Sequence, residues 1–156
     1  MMDIWYDGDH PPAHELGFED LIYFNDDTLT EEFCEHLIQK FNNDDRRGVG
    51  KIGGPPGCGA RIVKEIKRSV DLNITNTDEG WKEEDDILFH SLNDNLRMYV
   101  DYLPACYSGY IRNETRDTGY QIQRTDPGGC YTWHNDANSD MRMLTFIWYL
   151  NTIKED

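Results

Sequence analysis

His134 and Asp136 stand two residues apart in the run Tyr131-Thr132-Trp133-His134-Asn135-Asp136. On an extended chain residues i and i+2 point to the same face, so an imidazole nitrogen and a carboxylate oxygen can meet at one point. Such a pair, completed by a histidine from elsewhere, makes the facial triad of non-haem Fe(II) sites. An isolated H-x-D triplet is a common accident of sequence, and its neighbours are what give this one weight. A Gly-rich turn, Asp126-Pro127-Gly128-Gly129, delivers the strand. Tyr131 and Trp133 are expected to wall the site. The run 141–150 should bring Arg142, Thr145 and Tyr149 to the same cavity. Strand parity puts Tyr149, Ile147, Thr145 and Met143 on one face. Arg142, on the other, either begins the strand at a bend or pairs with Asp140.

The elements that must position these residues can be read from periodicity. Residues 21–24, Leu-Ile-Tyr-Phe, predict a short strand. Thr28 precedes Glu31 at the spacing of a capping box, and Phe33, Leu37, Ile38 and Phe41 recur at helical spacing, predicting a helix over about 30–42. The Gly- and Pro-rich stretch 48–59 predicts an irregular loop; it lacks the strand and the Lys-Ser/Thr of a phosphate cradle. Residues 61–72 are ambiguous between helix and strand, and 71–78 read as polar and turn-like. A second helix is predicted over about 83–103, with Leu88, Leu92, Leu96, Tyr99 and Leu103 on one stripe and Pro104 closing it. Period-two alternation then marks 120–124 and 130–135, and 141–150 is the most strand-prone run. Helices followed by strands predict an α+β fold, with the helices on one face of an antiparallel sheet. About three strands are too few by themselves for a jelly roll.

Composition narrows the function. The 156 residues carry 15 Lys and Arg against 30 Asp and Glu, a formal net charge of -15. Phosphate-rich partners need clustered cations, and only 61–68 is locally basic, so neither nucleic acid nor an anionic membrane is expected as a partner. Cys34, Cys58, Cys106 and Cys130 are widely spaced and form no C-x-x-C pair, which argues against a zinc site. The first ten residues are acidic rather than basic-then-apolar, unlike a secretory signal, and a cytoplasmic protein with reduced thiols is expected.

The segments Gln121-Ile122-Gln123-Arg124, Pro127-Gly128-Gly129-Cys130-Tyr131, His134-x-Asp136, Arg142-Met143-Leu144-Thr145 and Trp148-Tyr149-Leu150-Asn151 together resemble the prolyl 4-hydroxylase-like branch of the 2-oxoglutarate/Fe(II)-dependent oxygenases. The earlier strand-helix pattern and Lys67-Arg68-Ser69-Val70-Asp71 resemble the family's N-terminal portion less sharply. The resemblance implies helices packed on the first strands of a double-stranded β-helix, or jelly roll, incomplete at the C-terminus. It divides one partial domain into a lead-in (1–20), a helical support region (21–118) and first core strands (119–156). It makes His134 and Asp136 two of three iron ligands, and Tyr149, Tyr131 and Arg142 the cosubstrate-binding candidates. Fe(II), 2-oxoglutarate as cosubstrate and ascorbate as accessory reductant are the implied cofactors, with a peptide or protein side chain, such as proline, as substrate. Where relatives often carry Tyr before the Pro-Gly turn, this chain has Asp126. The distal His ligand and the Lys or Arg that grips 2-oxoglutarate are expected beyond Asn151. The chain is therefore expected to be a truncated member with weak or no activity alone. The competing expectation is a non-catalytic interaction protein that forms a homodimer through an exposed sheet edge.

Overall fold

The computed structural model describes residues 21–53, 59–75, 77–103, 108, 111, 117, 119–134, 136 and 144–152. Within them lie two helices, α1 (Glu31–Asn43) and α2 (Lys82–Tyr102), and five short strands: β1 (Gly48–Val49), β2 (Lys67–Arg68), β3 (Val70–Ile74), β4 (Tyr120–Arg124) and β5 (Cys130–Tyr131). The architecture is α+β. The described strands form two antiparallel sheets, one ordered β1-β3-β4 and the other β2-β5, and no barrel. No helix among the described residues is long and apolar enough to cross a membrane.

The chain forms two compact units, one of residues 1–28 and 89–116, the other of 29–88 and 117–156. In the first, the later turns of α2 hold the segment 21–28: Tyr99 Oη donates to the Leu21 carbonyl at 2.9 Å and Asn25 Nδ2 to Asn95 Oδ1 at 2.8 Å. Tyr23 lies against the rings of Tyr99 and Tyr102. Residues 21–24, expected as a strand, pair with no ladder; Tyr23 packs on the rings of α2, while Phe24 is exposed.

The second unit contains α1, all five strands and the start of α2. Helix α1 matches its sequence prediction closely, but its cap is Thr30 rather than Thr28: Thr30 Oγ1 accepts from the Phe33 amide at 3.2 Å. This satisfies one of the amides that a helix start leaves free. The Thr28 hydroxyl is engaged elsewhere, donating to the Asn25 carbonyl at 2.8 Å. Leu37 and Phe41 of α1, Leu72 and Ile74 of β3, Tyr120 of β4, Trp81 just before α2 and Leu88 within it are the buried apolar side chains of this unit among the described residues.

Three of the strands come from the stretch between the helices. β1 corrects the expectation of an irregular loop, and β2 resolves as strand a stretch left open between helix and strand. β3 begins in that stretch and runs on through residues expected to turn. Its Val70, Leu72 and Ile74 alternate with Ser69, Asp71 and Asn73, and five Cα pairs from Val70↔Arg124 to Ile74↔Tyr120 join it to β4. The polar residues that imitate a turn are one face of a strand. Part of the Gly-rich stretch is also structured, with β1 paired to β3 and Ile52 bridged to Arg61. The turn Asp126-Pro127-Gly128-Gly129 closes as expected: the Gly129 amide reaches the Asp126 carbonyl at 2.7 Å, and Gly128 has φ of 75°. Pro second and a left-handed Gly third define a type II turn.

The largest departure is in 141–150. Residues 141–143 lie outside the described part, and 144–150 join no ladder. Phe146 and Trp148 pack edge-on around the Tyr120 ring. Ile147 and Tyr149, on the other parity, are 67% and 84% exposed.

Candidate metal site

β5 is only two residues long, held to β2 by the pairs Lys67↔Tyr131 and Arg68↔Cys130, and the Thr132 amide adds a bond to the Ile66 carbonyl at 2.9 Å. The alternation expected through 135 therefore ends at Tyr131, and the chain bends at Trp133. The bend brings the His134 imidazole flat against the Tyr131 ring, with centroids 3.7 Å apart and planes at 14°. It also turns Trp133, expected as a wall of the site, fully to solvent at 103% exposure.

His134 Nδ1 lies 2.8 Å from the Thr132 carbonyl oxygen. A carbonyl only accepts, so Nδ1 carries the hydrogen and Nε2 is the nitrogen left to act on a partner. Nε2 is 3.5 Å from Asp136 Oδ1. Metal–donor bonds of about 2.1 Å from each atom would span that separation, so one ion can reach both. An imidazole fixed by a carbonyl through its other nitrogen is the usual arrangement of a ligating histidine. The donor types and their spacing fit two positions of an iron site. Among the described residues, no group of three or more His, Cys, Asp or Glu side chains is placed to hold a metal.

Of the other site candidates, Tyr131 joins the His134–Asp136 pair, Tyr149 points to solvent, and Arg142 lies outside the described residues. His36 bonds Glu84 Oε1 at 2.6 Å and His90 packs against the Phe89 ring.

A polar cluster beside Tyr131 falls partly on the Lys67–Asp71 segment, to which the sequence assigned no site role. Lys67 is 3% exposed, and its Nζ lies 2.7 Å from Asp71 Oδ2, 3.1 Å from Gln121 Oε1 and 4.7 Å from the centre of the Tyr131 ring. Ser69 donates to Asp71 Oδ1 at 2.7 Å, and Gln121 donates to Asn73 at 2.9 Å. Lys67, Ser69, Asp71 and Asn73 share strand parity, so the signal was a period-two polar row opposite Val70, Leu72 and Ile74.

A separate open cleft of about 560 Å³ is lined by Lys40, Asn43, Asp44, Arg46, Asp78, Gly80 and Trp81. Its charges neutralise one another: Arg46 pairs with Asp44 and Asp78, and Lys40 pairs with Glu84. The Arg46 hydrogen bonds, outweighing partial burial and helped by the Trp81 indole, hold the Asp44 carboxyl far below the usual range. This network clamps the turn around the buried Trp81, whose Nε1 donates to Asp44 at 2.7 Å.

No protein-family model matches the chain, and neither a curated protein nor a solved structure matches it significantly.

Proposed function

We propose that this chain carries part of the active site of a 2-oxoglutarate- and Fe(II)-dependent oxygenase of prolyl 4-hydroxylase-like type, built on the first strands of a jelly roll. The observation that carries the reading is the His134–Asp136 pair: Nε2 and Oδ1 converge at 3.5 Å while the Thr132 carbonyl fixes the tautomer. The two-faced sheet is in keeping with it, since a jelly roll needs one face for its outer support and one for a polar interior.

His134 and Asp136 would hold the metal. When bound with 2-oxoglutarate, Fe(II) supplies oxidative decarboxylation coupled to hydroxylation of an unactivated C–H bond, here on a peptide or protein side chain such as proline. The protein's share is orientation. The Thr132 carbonyl takes the Nδ1 hydrogen bond and leaves Nε2 aimed at Asp136, and the Tyr131 face limits rotation of the ring. Tyr149 and Arg142 are proposed to contact the cosubstrate, with ascorbate as accessory reductant.

Anaerobic titration of the 156-residue chain with Fe(II), with and without 2-oxoglutarate, tests the proposal. Saturable binding should give a weak visible charge-transfer band with the cosubstrate, and His134→Ala and Asp136→Ala should each abolish it. Binding that survives either substitution would refute the site.

The exposed side chains of Trp133, Ile147 and Tyr149 favour a second reading, a homodimer in which the segment 144–150 pairs with a second copy. Sedimentation equilibrium decides it: a monomer at all concentrations would exclude it.

A further inference from the structure

We infer that Lys67 is a positioning residue of the candidate metal site, acting on His134 through the Tyr131 ring; this rests on the metal reading of His134 and Asp136. The ladder places Lys67 directly opposite Tyr131, and side chains at directly opposed positions of an antiparallel pair are neighbours. The ammonium is therefore held where it meets the ring, with Nζ 4.7 Å from the ring centre.

A lysine at 3% exposure is an expensive residue to keep charged. Its charge is met by Asp71 at 2.7 Å and its further hydrogen bond by Gln121 at 3.1 Å. Both partners are held in turn, Asp71 by Ser69 and Gln121 by Asn73. Gly50 closes the cluster: its amide donates to the Ser69 carbonyl at 2.9 Å, and a Cβ there would lie 3.2 Å from Lys67 Cε. The ammonium consequently has little freedom to leave the ring.

For stability alone, a well-packed apolar pair would serve as well as a buried ion pair. What the cation adds is attraction to the electron-rich face of an aromatic ring. Tyr131 passes that constraint on, since its ring stacks at 3.7 Å on the imidazole. His134 is then fixed in two independent ways, by the stacked face and by the in-plane bond from Nδ1 to the Thr132 carbonyl at 2.8 Å. Together they leave Nε2 facing Asp136. Lys67 touches neither ligand, so its influence is on orientation, and Tyr131 is assigned an orienting role apart from any contact with a cosubstrate.

The test uses the full chain and two readouts. The first is the ring-current shift that stacking imposes on the His134 ring protons, followed by NMR without metal. The second is the apparent Kd for Co(II), followed by titration. Lys67→Met with Asp71→Asn removes both charges of the buried pair while nearly keeping its shape. Tyr131→Leu removes the ring and Tyr131→Phe keeps it. Tyr131 is 37% exposed, so these two substitutions do not threaten the fold. Where the double variant is unstable, Lys67→Gln alone, which removes the cation but keeps a hydrogen-bond donor for Asp71, is read in the same way. Wild type and Tyr131→Phe should show the upfield shift. Tyr131→Leu and the Lys67/Asp71 variant should lose it and bind Co(II) about tenfold more weakly, the lower end of what lost support of a ligating histidine costs. Removing Lys67 and Asp71 in the Tyr131→Leu background should then change nothing further.

An unchanged His134 shift in the folded Lys67/Asp71 variant overturns the inference, as does a loss of Co(II) affinity that adds fully to that of Tyr131→Leu. A third outcome separates this inference from the reading beneath it. If wild type shows the shift but takes up no Co(II) through His134, the metal reading fails, and with it the role of Lys67 toward a metal, whereas the Lys67–Tyr131–His134 alignment stands.

Discussion

Replacing Gly50 by alanine should destabilise the second unit by about 3 kcal/mol, a loss that can be assembled from its surroundings. A Cβ at Gly50 would overlap Ser69 Oγ and lie 3.2 Å from both Asp71 Oδ2 and Lys67 Cε. Gly50 is not among the left-handed glycines, Gly59, Gly119 and Gly128, so the backbone accepts alanine and the cost is steric alone. Overpacking a tight site costs about 1–3 kcal/mol. If Ser69 rotates away, it gives up its hydrogen bond to the Asp71 carboxylate, worth about 1.5–3 kcal/mol. The smaller entropy of an unfolded alanine returns about 0.4–1 kcal/mol. At about 2–4 °C per kcal/mol for a chain of this length, Tm should fall by about 6–12 °C. Urea unfolding followed by circular dichroism gives the free energy, with the m-value unchanged. Ser69→Ala alone should cost about 2 kcal/mol for the lost charge-assisted bond. The combined Gly50→Ala/Ser69→Ala variant should cost little more than that, because the overlapping oxygen is gone. Simple addition of the two losses, about 5 kcal/mol in all, would show that Ser69 is not what Gly50 makes room for.

Glu84→Gln should cost about 1.5–3 kcal/mol at neutral pH, at the low end because His36 and Lys40, both 2.6 Å from the carboxylate, are themselves partly exposed. Burial raises the Glu84 carboxyl's affinity for protons, but the bonds from His36 and Lys40 outweigh it and the net shift is downward. A lowered folded value gives stability that is complete above the unfolded value, about 4.3, and is lost as pH falls through the folded one. The gap between wild type and variant should thus be constant from pH 7 to about 5.5 and shrink below about pH 4; a gap that widens on acidification would reverse the sign. Tyr120→Phe should be neutral or stabilising by about 0.5–1 kcal/mol in urea unfolding, since Tyr120 Oη is buried without a hydrogen-bond partner among the described residues. Burial, reinforced by Asp117 and Asp85, pushes the Tyr120 phenol well above its usual range. Its folded value is raised, so the related stability is present below about pH 10 and lost above it, and the Phe variant should keep more stability at alkaline pH.

Local pattern made some elements legible in the sequence. Phe33, Leu37, Ile38 and Phe41 gave the period of α1, and Tyr120, Ile122 and Arg124 alternate with exposed glutamines in β4. Pro127-Gly128 dictated its own turn. β3 was hidden because Asp71 and Asn73 carry turn statistics, while the hydrogen bond that Asn73 accepts depends on Gln121, a strand away. High β-propensity at 144–150 did not produce a ladder, since propensity measures fit to a neighbouring strand rather than the presence of one. At the candidate site, residue types and spacing pointed to His134 and Asp136. The register that sets Lys67 opposite Tyr131 joins segments far apart in sequence, and no local signal encodes it.

The unequal lengths of the ladders set up a gradient of amide hydrogen exchange. β3 is joined by five Cα pairs to β4 and by two to β1, so its amides should exchange only in global unfolding. The arm bearing Tyr131 and Thr132 is held by two Cα pairs and the Thr132 amide bond. It should open on its own at a fraction of that free energy. A metal ion that bound the closed arm alone would raise its opening free energy by about 2.7 kcal/mol at a concentration a hundred times Kd. Exchange at Thr132 would then slow about a hundredfold while β3 exchanged at a rate limited by the whole fold, making the arm a reporter of occupancy even where turnover is absent.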